Sequence, residues 1–196
     1  MKIFRILILL AILEVANAKS FKDGFELYGD IFQFLPAIVA IYPLATQDYE
    51  GLGYLALSTG STLGITFAIK YSFVGISKKH PNLASISQRP NNGSFEGFPS
   101  GHTSSAFSAA GFAQKRYGSK LGVPTTILAT LVGFSRVAAE KHTIAQVLAG
   151  AILGYGLSYL ITNKLDNFNF KINVDNIKIP NGKYQNYYGL SASYIF

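Results

Sequence analysis

The fold class is set by residues 135–162, which read SRVAAEKHTIAQVLAGAILGYGLSYLIT. A short polar turn leads there into an apolar run of about 20 residues, the length that crosses a bilayer. The run contains Gly150 and Gly154, and small residues let helices pack closely in a membrane. Four further apolar segments precede it, at residues 31–46, 52–73, 104–117 and 124–139. Five such segments predict an all-α, membrane-associated helical bundle of about five to six helices.

The composition of the 196-residue chain narrows the class of protein. Hydrophobic residues make up 49% and charged residues 14%, and the mean hydropathy is +0.26, which excludes intrinsic disorder. The absence of cysteine excludes a disulfide scaffold, a thiol nucleophile and a Cys-ligated metal site. The formal net charge of +7 is not gathered on a basic face with interleaved aromatics, which argues against nucleic acid. Anionic lipid or phosphate is the predicted partner.

The first 18 residues have the pattern of a secretory signal peptide. Lys2 and Arg5 precede a short apolar run, and Ala16-Asn17-Ala18 supplies small residues at alternate positions. The alternative is an uncleaved first membrane helix. Either segment exports the chain from a bacterial cytoplasm. We therefore predict a bacterial inner-membrane protein with its site on the periplasmic face, the alternative being a periplasmic, envelope-associated protein.

Alternate membrane crossings predict which polar segments meet. With the N-terminus inside, residues 74–102 and the neighbourhood of residue 142 share the outer side, while Lys115, Arg116 and Lys120 lie inside, as the positive-inside tendency prefers. The polar segments that carry histidine and arginine are therefore expected at the same end of the bundle.

The last part of the chain changes to a period of two. Alternating apolar residues lie on both sides of the turn signal Pro180-Asn181-Gly182, which predicts a β-hairpin. One hairpin cannot close a barrel, so we expect a small C-terminal β-hairpin appended to the helices. The predicted organisation is thus a signal peptide or first membrane helix at 1–18, a helical domain at 19–165 and a hairpin tail at 166–196.

Three polar stretches gather cationic and imidazole groups. Each group alone has an ordinary explanation, such as an ion pair between Arg136 and Glu140 or a Lys70 side chain that snorkels to the interface. Together they fit phosphoryl transfer, which requires charge to be dispersed over the phosphoryl oxygens. The stretches are Lys70 with the loop that reaches Arg89-Pro90, then Pro99-Ser100-Gly101-His102, then Ser135-Arg136 with His142 and Gln146.

Each residue type in these stretches suits that chemistry. Arginine binds phosphate in a bidentate manner, and lysine supplies a point charge. Ser100 and Gly101 stand just before a predicted helix, where free N–H groups bind anions. One histidine can attack phosphorus and the other can protonate the departing oxygen. No carboxylate cluster with metal-ligand spacing occurs nearby, so we predict a mechanism without metal or cofactor.

These blocks resemble the signature of the type-2 phosphatidic acid phosphatase and vanadium haloperoxidase superfamily, which is Lys-x6-Arg-Pro, Pro-Ser-Gly-His and Ser-Arg-x5-His-x3-Asp. Residues 99–102 match the second block, and Ser135, Arg136 and His142 match the third. The resemblance covers roughly residues 30 to 163. It implies that His142 is a nucleophile that forms a phosphohistidine and that His102 is the general acid. The implied phosphate-binding residues are Ser100, Gly101, Arg89, Arg136 and a lysine.

The chain departs from this signature at two positions. Asn82 stands where the first block has lysine, so Lys70, separated from Arg89 by a loop insertion, is the preferred match and Lys79 the fallback. Gln146 replaces the aspartate that orients the nucleophile. A glutamine carbonyl can accept the imidazole N–H, but it supplies no negative charge, so we expect reduced turnover or assistance from Glu140.

The leading function is hydrolysis of a phosphate monoester or diphosphate on a membrane lipid. The short chain and the polar loop at residues 78–98 resemble bacterial lipid A phosphatases most, and undecaprenyl diphosphate and phosphatidic acid types are the other substrates considered. One alternative is a catalytically weakened relative that binds lipid phosphate, marked by Gln146. Another is a vanadate-dependent haloperoxidase, which the small size and the apolar helices disfavour.

Overall fold

The computed structural model describes residues 21–165, 168–178 and 184–194. The predicted signal peptide and the turn at residues 180–182 lie outside the described residues. The chain divides into two compact units, the first ending at Asn163 and the second beginning at Lys164.

The first unit is a helical bundle, which confirms the predicted class. Its described helices are α1 (Phe21–Phe32), α2 (Leu35–Val39), α3 (Ile41–Ala45), α4 (Tyr49–Ser77), a 3₁₀ helix (Pro81–Ser87), α5 (Gly101–Tyr117), α6 (Ser119–Ala138) and α7 (Ile144–Ile161). Helices α4, α6 and α7 are each long and apolar enough to cross a membrane. Helix α1 and the α2–α3 segment form a further candidate span, bent by 58°.

Proline positions explain where the predicted boundaries shift. The apolar segment at residues 31–46 is broken after Phe32, and Pro36 occupies the first turn of α2, where a missing N–H is tolerated. The apolar segment predicted at residues 124–139 begins too late, because helix α6 already begins at Ser119. Pro124 therefore lies inside the helix. Gly118, with φ of 74°, ends α5 and lets α6 start at the next residue.

Helix α5 is the central helix of the bundle. Its Ala109, Ala110 and Phe112 side chains are fully buried in the core. Helix α7 approaches α5 so closely that a Cβ on Gly154 would overlap the Ser104 carbonyl oxygen. Small residues therefore let the membrane-length helix α7 pack closely on α5. Large apolar side chains such as Ile152 on α7 remain exposed on the outside of the bundle.

A buried ion-pair cluster closes the end of the bundle where α4 begins. Arg116 at the end of α5 donates to both carboxylate oxygens of Asp48, at 2.9 and 2.6 Å, and to Glu50 at 2.9 Å. The Tyr117 hydroxyl donates to Asp48 at 2.7 Å. Burial opposes ionisation of Asp48, but the bonds from Arg116 and Tyr117 dominate together and lower its pKa to about 2.

The second unit is an antiparallel two-stranded hairpin of β1 (Phe168–Lys178) and β2 (Tyr184–Tyr194). The register pairs Phe168 with Tyr194 and Ile172 with Leu190. The positions that alternate in the sequence are therefore cross-strand partners, as the predicted hairpin requires.

The Asp48→Asn substitution is expected to destabilise the bundle by about 3–5 kcal/mol at neutral pH, because it breaks a buried pair. The Asp48 side chain is 7% exposed and the Glu50 side chain 67%, so Glu50→Gln is the matched control, with an expected loss below about 1 kcal/mol. Because the folded pKa of Asp48 is depressed, its contribution is present above about pH 4 and is lost as the pH falls through about 2. Thermal unfolding followed by circular dichroism measures both effects. If the two variants lost equal amounts of unfolding free energy, Asp48 would not be the buried partner of Arg116.

Candidate active site

The three polar stretches meet at one end of the bundle. This end combines the last turns of α4, the loop after the 3₁₀ helix, the start of α5, the end of α6 and the start of α7. The Ser100 N–H donates to the Gln146 carbonyl at 2.9 Å, and the Arg136 guanidinium reaches Asp30 on α1. The common end that the alternating topology predicted is therefore present in the structure.

The fully buried side-chain amide of Gln146 links the nucleophile candidate to the loop. Its Nε2 donates to the Ile86 and Gln88 carbonyl oxygens, each at 2.9 Å. This arrangement turns Oε1 toward two donors, the Thr143 N–H at 3.2 Å and His142 Nδ1 at 3.0 Å. Because two carbonyls bind the amide nitrogen, Oε1 is the acceptor, and His142 carries its proton on Nδ1. The Nε2 lone pair of His142 remains for chemistry.

His142 is buried among positive charges. Burial, followed by the charges of Arg89 and Lys70, lowers the pKa of the imidazole to about 3, although the bond with Gln146 opposes the shift. The ring is therefore neutral at physiological pH, as a nucleophile requires. Since this pKa lies below the ordinary 6.5, the ring contributes stability above pH 6.5 that is lost as the pH falls toward 3.

Lys70 and Arg89 bring cationic donors to His142. Lys70 is buried, and its Nζ donates to the Glu96 carbonyl at 2.5 Å. The Arg89 Nε is buried and has no hydrogen-bond partner among the described residues. A buried donor without a partner is costly, and an oxyanion bound here would satisfy it. The fallback candidate, Lys79, is exposed on the described surface.

The N-terminus of α5 supplies backbone donors. Ser100 is the N-cap residue, and its side chain makes no capping hydrogen bond. The first-turn N–H groups of a helix have no intrahelical partners. A Cβ on Gly101 would lie 3.8 Å from Lys70 Cε, which places this helix end beside the lysine. The Gly101 N–H is thus positioned to bind an anion together with Lys70, whereas the Ser100 N–H is bonded to the Gln146 carbonyl.

His102 is paired with a carboxylate that sequence reasoning missed. Its Nε2 lies 3.0 Å from Asp30 Oδ1, and the same oxygen accepts from Arg136 Nη1 at 2.6 Å. Arg136 also donates to Ser135 Oγ and to the Glu26 carbonyl, and its guanidinium carries more N–H groups than these bonds use. The ion pair with Glu140 considered from the sequence is wrong, because Arg136 pairs with Asp30.

The environment of His102 differs from that of His142. Burial and the charge of Arg136 lower the pKa of His102 below its ordinary value, while the negative charge and hydrogen bond of Asp30 oppose that shift. Asp30 therefore favours the protonated ring, whereas the neutral amide of Gln146 gives His142 no such charge. The pKa values of both imidazoles are lowered, and only His102 has a carboxylate beside it that limits the shift.

Helix α1 is held against the loop that precedes His142. Lys22 pairs with Glu140 at 2.9 Å and Glu26 pairs with Lys141 at 3.0 Å. A Cβ on Gly29 would overlap the side chains of Ser135 and Arg136, so glycine permits this close approach. The expected assistance of Glu140 at the nucleophile is not observed, because its carboxylate pairs with Lys22.

Two imidazoles lie within electrostatic range of Arg89 at one end of a helical bundle that has membrane-length helices. The family model described as the PAP2 superfamily matches residues 51–170. The chain belongs to the PAP2 superfamily, as the resemblance predicted.

Named relatives extend the comparison. The chain is 43% identical over 141 residues to a lipid A 4′-phosphatase of Helicobacter pylori strain J99, covering 71% of this chain and 70% of the relative. It is 32% identical over 126 residues to a lipid A 1-phosphatase of the same strain, covering 64% of this chain and 63% of the relative. A transmembrane PAP2-type phosphatidylglycerolphosphate phosphatase structure from Bacillus subtilis aligns with 79% of this chain and 92% of its own, at 19% identity and a TM-score of 0.40.

The Gln146→Glu substitution keeps the shape of the side chain but replaces two N–H donors by an oxygen that faces two carbonyls. We expect a loss of about 1–3 kcal/mol in the free energy of unfolding at pH 7, and a smaller loss near pH 4, where a protonated carboxyl can donate once. Thermal unfolding measures the change. Gln47→Glu, at an exposed position, is the control. If the two variants unfolded alike, the amide network would have no structural role.

Proposed function

We propose that this protein hydrolyses a phosphate ester on a membrane lipid by way of a phosphohistidine on His142. One observation carries the proposal: His142 and His102 both lie within electrostatic range of Arg89, and each has one ring nitrogen bonded to an orienting side chain. Membership of the PAP2 superfamily and the names of the relatives support the same reaction class.

The reaction starts when His142 Nε2 attacks phosphorus. A bond forms between nitrogen and phosphorus, the bond from phosphorus to the lipid oxygen breaks, and protonated His102 gives its proton to that oxygen. Neutral His102 then takes a proton from water, the water oxygen attacks phosphorus, and the bond to His142 breaks. Inorganic phosphate leaves, and both imidazoles return to their starting states.

Fixed positive charge stabilises the phosphoryl oxygens in both steps. Lys70, Arg89 and Arg136 supply ammonium and guanidinium donors, and the Ser100 hydroxyl and the Gly101 backbone N–H add further donors. These groups perform the charge neutralisation that a metal would otherwise provide, so we propose a metal-independent phosphatase. The unpartnered Nε of Arg89 supports an oxyanion at this position.

The proposed substrate is a lipid A type of lipid phosphate, because relatives with lipid A phosphatase names match most of this chain. Their names specify different phosphates, at the 4′ and the 1 position, so a substrate panel decides the position. We further propose that the site faces the periplasm from the inner membrane and that residues 1–18 direct export. The helical domain at 19–165 would then hold the site.

Substitution of the two histidines is expected to separate their roles. His142→Ala should abolish phosphate release and the alkali-stable phosphoenzyme, because the nucleophile is gone. His102→Ala should slow formation of the phosphoenzyme from lipid A by about 10²–10⁴-fold but affect its formation from nitrophenyl phosphate much less, because nitrophenolate leaves without a proton. Phosphate release and radiolabel trapping measure both effects.

Three outcomes of this assay would change the proposal. Turnover that persists in His142→Ala would remove its role as nucleophile. Equal losses in the rate of phosphoenzyme formation from both substrates in His102→Ala would remove its role as general acid. Wild-type protein that binds lipid A, undecaprenyl diphosphate and phosphatidic acid but releases no phosphate would be the weakened lipid-binding relative.

The Asp30→Asn substitution is expected to shift the alkaline limb of kcat/KM to lower pH. The carboxylate raises the pKa of His102, so without its charge the general acid loses its proton at a lower pH. A pH profile with a soluble phosphomonoester measures the limb. Asp23→Asn, on the exposed face of the same helix, should leave the limb in place, and an unchanged limb in Asp30→Asn would show that the contact is only structural.

A further inference from the structure

The 3₁₀ helix Pro81–Ser87 has an apolar face that nothing in the described chain covers. A 3₁₀ helix has three residues per turn, so residues three apart lie on one face. Ala84 and Ser87 are fully buried against the bundle. Leu83 and Ile86 share the next face and are 72% and 49% exposed.

Cations precede this apolar face directly. Lys78, Lys79 and His80 follow the last residue of α4 and are exposed. Helix α4 has 29 residues, about 43 Å at 1.5 Å per residue, which exceeds a hydrocarbon core of about 30 Å. Its last turns therefore reach the headgroup level, where exposed Tyr71 is the type of residue that lies at a membrane interface.

The same helix is bonded to both histidine-bearing parts of the site. The Ile86 and Gln88 carbonyls accept from the amide that orients His142. Ser87 Oγ donates to the Phe95 carbonyl at 2.8 Å and accepts from the Phe98 N–H at 3.1 Å, in the loop that leads into α5. The position of the 3₁₀ helix thus determines the position of these partners.

We propose that the 3₁₀ helix docks on the anionic surface of the bilayer. Leu83 and Ile86 enter the headgroup region and Lys78 and Lys79 pair with lipid phosphates. Charge complementarity and the depth of α4 identify a lipid surface as the occupant, since exposed apolar side chains flanked by cations are typical of interfacial segments. Docking holds the carbonyls of Ile86 and Gln88 in place, and so couples the bilayer to the orientation of His142.

A single-tryptophan experiment tests the docking. The natural chain contains no tryptophan, so Leu83→Trp places one fluorophore on the apolar face. In nanodiscs of phosphatidylglycerol and phosphatidylcholine, brominated lipid should quench its emission and aqueous iodide should not. Ser85→Trp, on the adjacent exposed polar face, is the matched control and should show the reverse.

Two results would overturn the docking. Iodide quenching of Leu83→Trp equal to that of Ser85→Trp would place the apolar face in water. Protection of Leu83→Trp from both quenchers would identify a protein partner or a second copy in place of lipid. Neither result depends on whether the protein is a phosphatase.

The coupling has a separate test that rests on the proposed function. With a soluble phosphomonoester as substrate, wild-type turnover should be at least about fivefold higher in anionic than in zwitterionic nanodiscs, since each cation near an anionic surface contributes about 1 kcal/mol. The double substitution Lys78→Gln and Lys79→Gln should bring this ratio close to one. An unchanged ratio in that double variant would contradict the coupling, whereas absence of turnover in every sample would count against the proposed function.

Discussion

The side-chain amide of Gln146 is the interaction on which the arrangement of the site depends. Its nitrogen binds the carbonyls of Ile86, in the 3₁₀ helix, and of Gln88, directly after it, and its oxygen accepts from the ring of His142. An aspartate has no donor for those carbonyls, and buried polar groups without partners are costly. Compared with an aspartate, the glutamine therefore supplies no negative charge to His142, but it bonds the backbone at Ile86 and Gln88 to α7. The tautomer of His142 follows from this bonding.

The two histidines acquire different properties from their surroundings. Burial and the surrounding positive charges favour the neutral ring of His142, although its bond with the Gln146 amide opposes this effect. His102 lies beside Asp30, whose carboxylate favours the protonated ring and also binds Arg136. A single oxygen of Asp30 thus connects α1 to the ends of α5 and α6. The two imidazoles therefore differ in the charge of their bonded partner, a carboxylate for His102 and a neutral amide for His142.

The bundle supports this site by an unusual distribution of residue sizes. Helix α5 is rich in alanine, serine and glycine and lies at the centre, where close backbone contacts replace large side chains. Leucine, isoleucine and phenylalanine lie mostly on the outer surfaces of α4, α6 and α7. At the far end, Arg116 and Asp48 form a buried pair. Apolar surface faces lipid, and this charged pair is bonded within the protein, because a bilayer offers no water to satisfy it.

The amino-acid sequence alone determined the helical membrane class, the hairpin, the family and the matching positions at residues 99–102 and 135–142, because apolar run lengths and spacings are local properties of the chain. It placed the start of α6 five residues late, and the pair of Arg136 and Glu140 that it offered as an ordinary alternative is not formed. Only the tertiary structure decided that Asp30 pairs with His102, across 72 residues, and that Gln146 binds backbone carbonyls 58 and 60 residues away. A lone carboxylate on a short amphipathic helix and an ordinary peptide carbonyl have no sequence signature. Their partners are set by how the helices pack.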